Sequence, residues 1–131
     1  MFLDTSGLFC LLDEDEARHA TAVALCREAH HMFTHNYVLA EMVALANVRG
    51  LPHGMATAFI KALERHPRVT VVWVDMTLHR AAIARLEDRP DKGYSLCDAV
   101  SFLCMEEQGI VEALTTDHHF EQERFIRLLK P

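Results

Sequence analysis

The stretch VTVVWVDMTLHRAAIARLE, Val69 to Glu87, sets the fold class. Its first six residues, VTVVWV, are β-branched or aromatic and apolar on both faces, the pattern of a parallel strand buried from two sides. Asp75 follows at once as a helix cap, and MTLHRAAIARLE continues with helical periodicity. A buried strand leading into a covering helix is one β/α unit, and the rest of the chain repeats it.

Working backwards, Met1 to Asp4 is a short apolar run ending in an acid, and Thr5 or Ser6 is placed to cap the short helix after it. Glu16 to His30 reads as an amphipathic helix with Ala20, Val23, Ala24 and Arg27 in i, i+3, i+4 relation. MFTH, Met32 to His35, is a brief strand. Asn36 is placed to cap the helix that follows, which Gly50 and Pro52 end. Another helix spans His53 to His66. Working forwards, a charged loop at Glu87 to Gly93 leads to a helix opened by Ser95 and closed by Gly109. IVEALTTD is then a strand ending in an acid, and FIRLL a last strand. Alternating strands and helices predict an α/β fold, a parallel sheet covered on both faces.

With 131 residues, half of them hydrophobic, no repeat and no low-complexity tract, the expectation is a single domain over residues 1–131. Cys10, Cys26, Cys97 and Cys104 lack Cys-x-x-Cys spacing and sit in apolar helical patterns, so they read as buried thiols. MFLD has no basic region before its apolar residues, and no apolar run approaches the ~20 residues of a membrane span. A soluble cytoplasmic protein is expected. The net charge of −6 argues against a broad nucleic-acid surface held by Lys and Arg alone.

Ligands of open parallel sheets bind beyond the carboxyl ends of the strands. Asp4 and Asp117 fall there. Glu41 and Asp98 lie early in helices that start on the same side, each the single charge in an apolar run. Every one of the four has an ordinary structural reading. Ser95 and Asp98 match a capping box, Asp4 suits a strand end, and Asp117 suits an Asx turn. Glu41 lies too deep in its helix to cap it. Together the four would repel and raise one another's pKa unless a cation compensates, and no Lys or Arg flanks any of them closely. Clustered hard oxygens suit Mg²⁺ or Mn²⁺, ions that support phosphodiester hydrolysis. Two divalent ions would also cancel the charge of the four acids.

FLDTSGL, the acid in NYVLAEMVAL and SLCDAVSFLCMEEQGIVEALTTDHHF match in order and spacing a known family. The chain resembles the PIN-domain nucleases, in particular the toxin subunits of VapBC-type toxin–antitoxin pairs. The resemblance implies a three-layer α/β/α domain with a parallel sheet in flavodoxin-like order. It implies an endoribonuclease dependent on Mg²⁺ or Mn²⁺, with one or two ions per subunit, RNA as substrate, a cognate antitoxin as partner and a homodimeric state. By position, Asp4, Glu41 and Asp98 look like the core metal ligands and Asp117 like the fourth acid. Ser6 and Thr116 resemble the supporting hydroxyls, beside Ser95 as the cap of the Asp98 helix. Water is the attacker the family implies, leaving a 5′-phosphate and a 3′-hydroxyl.

Arg89, Lys92 and Tyr94, just before the Asp98 helix, are candidates for touching RNA, against the alternative of a solvated loop. Asp91 is a candidate fifth acid. His118 and His119 suit no common zinc spacing and read as structural or substrate-edge residues. Two other functions stay in view. One is a haloacid-dehalogenase-like phosphohydrolase using Asp4, which would carry a second Asp where this chain has Ser6. The other is a non-catalytic PIN-like domain whose acidic pocket receives a partner's basic side chains.

Overall fold

A computed structural model describes residues 1–131. Five parallel strands form one sheet: β1 Phe2–Leu3, β2 Met32–His35, β3 Val69–Val72, β4 Glu112–Leu114 and β5 Ile126–Arg127. Seven helices flank it: α1 Thr5–Leu12, α2 His19–Glu28, α3 Asn36–Val48, α4 Met55–Arg65, α5 Met76–Asp88, α6 Leu96–Gln108 and α7 His119–Gln122. This is the three-layer α/β/α arrangement.

The strand order is β3-β2-β1-β4-β5. A flavodoxin-like sheet would put β3 beside β1; here β3 lies at the outer edge and β4 takes the place next to β1. The chain therefore reverses its direction of travel between β1 and β4. At such a switch point the loops leaving neighbouring strands diverge and open a crevice. Asp4 follows β1 and Asp117 follows β4, so this order, rather than the expected one, brings them together.

The edge position also changes the reading of VTVVWV. The strand ends at Val72, its Thr70 is exposed, and Trp73 beyond it is 65 % exposed. Burial on both faces belongs instead to β1, where Phe2 and Leu3 are inaccessible to solvent. Apolar composition alone does not separate a central strand from an edge strand covered by helices. Asp75 does cap α5, accepting the Leu78 N–H at 2.8 Å.

Other boundaries moved for local reasons. α2 begins at His19, and its one fully buried residue is Ala22; Ala20, Ala24 and Arg27 face solvent, and Val23 is half-buried. The cap of α3 is His35, whose Nδ1 accepts the Val38 N–H. Asn36 is already helical and its Oδ1 accepts the Val74 N–H at 2.7 Å, tying β2 to the end of β3. α1 starts directly after Asp4, with no side-chain cap from Thr5 or Ser6. Ser95 caps α6 in a full capping box with Asp98, and Gly109 closes the helix at φ +66°.

Gly7 sets how closely α1 lies on β4. A Cβ there would come within 1.9 Å of the Leu114 carbonyl oxygen, so only glycine permits this approach. Beneath the helices, the rings of Phe2, Phe102 and Phe120 form the aromatic centre of the core, with Phe102 and Phe120 edge-on at 5.1 Å. All four cysteines are free thiols; Cys26 is half-buried and the other three are buried.

Candidate active site

Parallel pairing of Phe2 with Ala113 and Leu3 with Leu114 carries forward to place Thr115 beside Asp4. The Asp4 N–H donates to the Leu114 carbonyl, which keeps the strand ends in step. Asp4 is buried, and its Oδ2 accepts hydrogen bonds from Thr115 Oγ1 at 2.7 Å and Ser6 Oγ at 3.0 Å. Thr115 in turn accepts the Asp117 N–H, and Ser6 accepts the Thr116 N–H, each at 3.0 Å. The supporting hydroxyl assigned to Thr116 therefore belongs to Thr115. Thr116 contributes backbone: its carbonyl is held by the Arg127 guanidinium at 3.0 Å.

Asp98 lies in the first turn of α6 and its Oδ2 accepts the Ser95 N–H at 2.9 Å, while Ser95 Oγ accepts the Asp98 N–H. The capping box is therefore present, and no hydrogen bond engages the Asp98 Oδ1. Asp117 makes the Asx turn as well, its Oδ1 accepting the His119 N–H at 2.9 Å. In both residues one oxygen serves the fold while the other is available. Glu41 stands exposed on α3 one turn before Leu45, on the side away from Val38, Met42 and Ala46.

Asp4, Glu41, Asp98 and Asp117 line one pocket of about 370 Å³ with Thr5, Ser6, Leu45, Thr116 and His118. No Lys or Arg reaches its walls, and Leu45 is its single apolar residue. Burial pushes the Asp4 carboxyl up to about 6, despite the Thr115 and Ser6 hydrogen bonds that favour its ionised form and with nearby Asp98 adding repulsion. Asp98 is also raised, first by burial and then by Asp117, against the Ser95 N–H. A buried Asp4 repelled by Asp98, in a pocket that no Lys or Arg enters, is part of the donor set that a hard divalent cation satisfies. Neighbouring Cys97 does not compete: burial, then Glu41 and Asp4, hold its thiol far up in the protonated form.

Full-length comparison settles the family. The sequence model of the PIN domain matches residues 1–125. The chain belongs to the PIN domain family. Among characterised PIN proteins, the 23S rRNA-specific endonuclease VapC20 of Mycobacterium tuberculosis, from two strains, is 33% identical over 129 residues, covering 98% of this chain and 97% of the relative. The crystal structure of Mycobacterium tuberculosis VapC20, described as a sarcin–ricin loop cleaving toxin, superposes with a TM-score of 0.88 over 99% of this chain and 98% of that one. Ser6 in place of a second acid already weighed against a dehalogenase-like site, and PIN membership removes that reading.

Three expected RNA contacts lie away from the PIN acid pocket. Tyr94 is buried, its hydroxyl donating to Glu123 Oε1 at 2.8 Å and its ring edge-on to Phe102 and His119. Arg89 lies 3.7 Å from the same Glu123, which is held more tightly by Arg85 at 2.6 Å. Lys92 pairs with Asp91 at 3.8 Å, so Asp91 is a loop acid outside the pocket. A loop residue a few positions from a site residue in sequence has many places to turn, and here one acid, Glu123, takes both Arg89 and Tyr94.

Sequence reasoning passed over Thr115 and Arg127. The Thr-Thr-Asp run was the available signal for Thr115, since only one of two successive threonines can face the neighbouring strand end. Nothing local marks Arg127, which reaches Thr116 from β5.

Proposed function

We propose that this PIN domain is a divalent-metal-dependent endoribonuclease and the toxin component of a type II toxin–antitoxin pair. The observation that carries this reading is a pocket walled by four carboxylates and no Lys or Arg, with Asp4 buried among them. Asp4, Glu41 and Asp98 hold the ion, Mg²⁺ or Mn²⁺, and Asp117 serves a second ion or positions the attacking water. When bound, the metal supplies an activated water and neutralises charge on the phosphate and leaving oxygen.

The chain's own residues do the rest. Thr115 and Ser6 orient Asp4 and keep it ionised, the capping box aims Asp98, and the Asx turn aims Asp117. Glu41 and His118, exposed at the rim, meet the substrate side. No side chain is placed as a covalent nucleophile, so water attacks and the products carry a 5′-phosphate and a 3′-hydroxyl. A hairpin of large-subunit ribosomal RNA is the first substrate to test, given what the VapC20 relatives cleave.

Purified protein should cleave such RNA with Mg²⁺ or Mn²⁺ and stop when a chelator is added. Undiminished cleavage in chelator, or by Asp4→Asn, would overturn the assignment. A domain that only receives a partner's basic side chains would bind its partner and never cut RNA. Expression should arrest growth, with rescue by a small antitoxin-like protein encoded beside it. Harmless expression of an active enzyme would remove the toxin role. The homodimer is checked by light scattering on the same preparation.

A further inference from the structure

Beside the carboxylate pocket, and sharing Asp117 and His118 with its wall, lies a histidine that the nuclease reading does not use, His119. The ligand atoms of Asp117, His118 and His119 fall within 4.8 Å of one another. His119 Nδ1 is fully shielded from solvent, has no hydrogen-bond partner in the protein, and faces two acids: Asp117 Oδ2 at 3.3 Å and Asp98 Oδ2 at 3.6 Å. His118 Nδ1 lies 3.6 Å from the other Asp117 oxygen, and the two imidazole rings are 4.5 Å apart.

These separations have a simple geometric meaning. Donors bound at about 2.1 Å around one ion stand roughly 3.0 Å apart at octahedral edges, 3.4 Å at tetrahedral edges and 4.2 Å across the ion. The His119 contacts fall near the edge lengths, and the widest span needs only a small side-chain rotation. A simple hydrogen-bonded histidine would satisfy its buried nitrogen; this one faces two carboxylates and bonds to neither.

The imidazole is also held in place from behind, by ring packing on a fixed tyrosine. Its ring lies edge-on to Tyr94 at 5.2 Å, the Tyr94 hydroxyl is fixed by Glu123, and Glu123 is fixed by Arg85.

We propose that Asp117, His118 and His119, with Asp98 on the inner side, form a mixed nitrogen–oxygen cation site adjoining the all-oxygen pocket. Imidazole nitrogen is a borderline donor, so this site takes Mn²⁺ or Zn²⁺ in preference to Mg²⁺. The proposal rests on the nuclease reading only in sharing Asp98 and Asp117 with it.

Mn²⁺ bound to the chelator-treated full-length protein, read by electron spin echo modulation, should show coupling to imidazole ¹⁴N. That coupling should shrink in His119→Ala and in His118→Ala and persist in His79→Ala. Zn²⁺ affinity, measured by competition with a chromophoric chelator, should fall at least ten-fold in each of the first two variants. Absence of ¹⁴N coupling in the unaltered protein overturns the site, and that spectrum is decisive even where a variant folds poorly. Nitrogen coupling in a protein that cuts no RNA supports this site while removing the nuclease reading. Mg²⁺-supported cleavage with no nitrogen coupling does the reverse.

Discussion

Thr115 Oγ1 lies 2.7 Å from Asp4 Oδ2 and donates a hydrogen bond that joins the ends of two adjacent strands 111 residues apart in sequence. The same hydroxyl accepts the Asp117 N–H, so one threonine aligns two of the four acids.

Thr115→Val keeps the shape and removes the donor. Asp4 then loses a partner that favours its ionised form. Divalent-ion affinity and RNA cleavage should fall about 10- to 100-fold, the usual cost of losing an outer-shell hydrogen bond. Thr115→Ser should retain most of both. Mn²⁺ titration calorimetry beside a cleavage assay gives the comparison, and equal affinity in Val and Ser variants would count against the role.

Asp98 caps α6, and mutation can separate that from the metal-holding role proposed for it. Ser95→Ala removes one half of the capping box and should cost about 1 kcal/mol of stability by urea melting, with cleavage still measurable. Asp98→Asn removes the carboxylate charge proposed to hold the ion and should lower cleavage by about 100-fold or more while the protein stays folded. An active Asp98→Asn enzyme would leave Asp98 as a cap alone.

Gly7→Ala should be costly for its size. Its new Cβ would strike the Leu114 carbonyl, forcing α1 off β4 and carrying Ser6 away from Asp4. Destabilisation of about 1–3 kcal/mol is expected from such overpacking, with loss of cleavage. Thermal unfolding and activity of the surviving folded fraction check both parts; a neutral result would show that the helix can retreat freely.

His35 predicts an acid limit to stability. It is fully buried, and burial pushes its pKa from 6.5 down to about 3. Nδ1 accepts the Val38 N–H, so the neutral ring carries its proton on Nε2 and donates to Ser101 Oγ at 2.8 Å, which passes a bond to the Cys97 carbonyl. The unfolded chain binds a proton as pH falls below 6.5 and the folded protein does not until about 3. Stability is therefore complete above 6.5 and declines through that window, by about 2 kcal/mol at pH 5. Asp4, raised from 3.8 to about 6, acts in the opposite sense between those values. The urea-derived difference between the parent and His35→Gln isolates the histidine; a pH-independent difference from 7 to 5 would contradict the assignment.

Much of this protein is written locally. The β/α alternation, the Asp75 cap, the Ser95–Asp98 capping box and the Gly109 stop depend on neighbours within a few residues, and chain sequence alone specifies them. Four solitary acids in apolar or strand-end positions were enough to mark the pocket, because an uncompensated charge in such a context is expensive wherever it is placed. What lay beyond local reach is what depends on register and order. VTVVWV has the composition of a central strand and sits at the edge; Thr115, not Thr116, meets Asp4; Tyr94 turns into the core, with Arg89 drawn to Glu123. Each of these was decided by strands or helices far apart in sequence. A parallel sheet fixes which strand ends become neighbours only when every crossover is in place. The residues of this site were therefore determined by the sequence, and their partners by the fold.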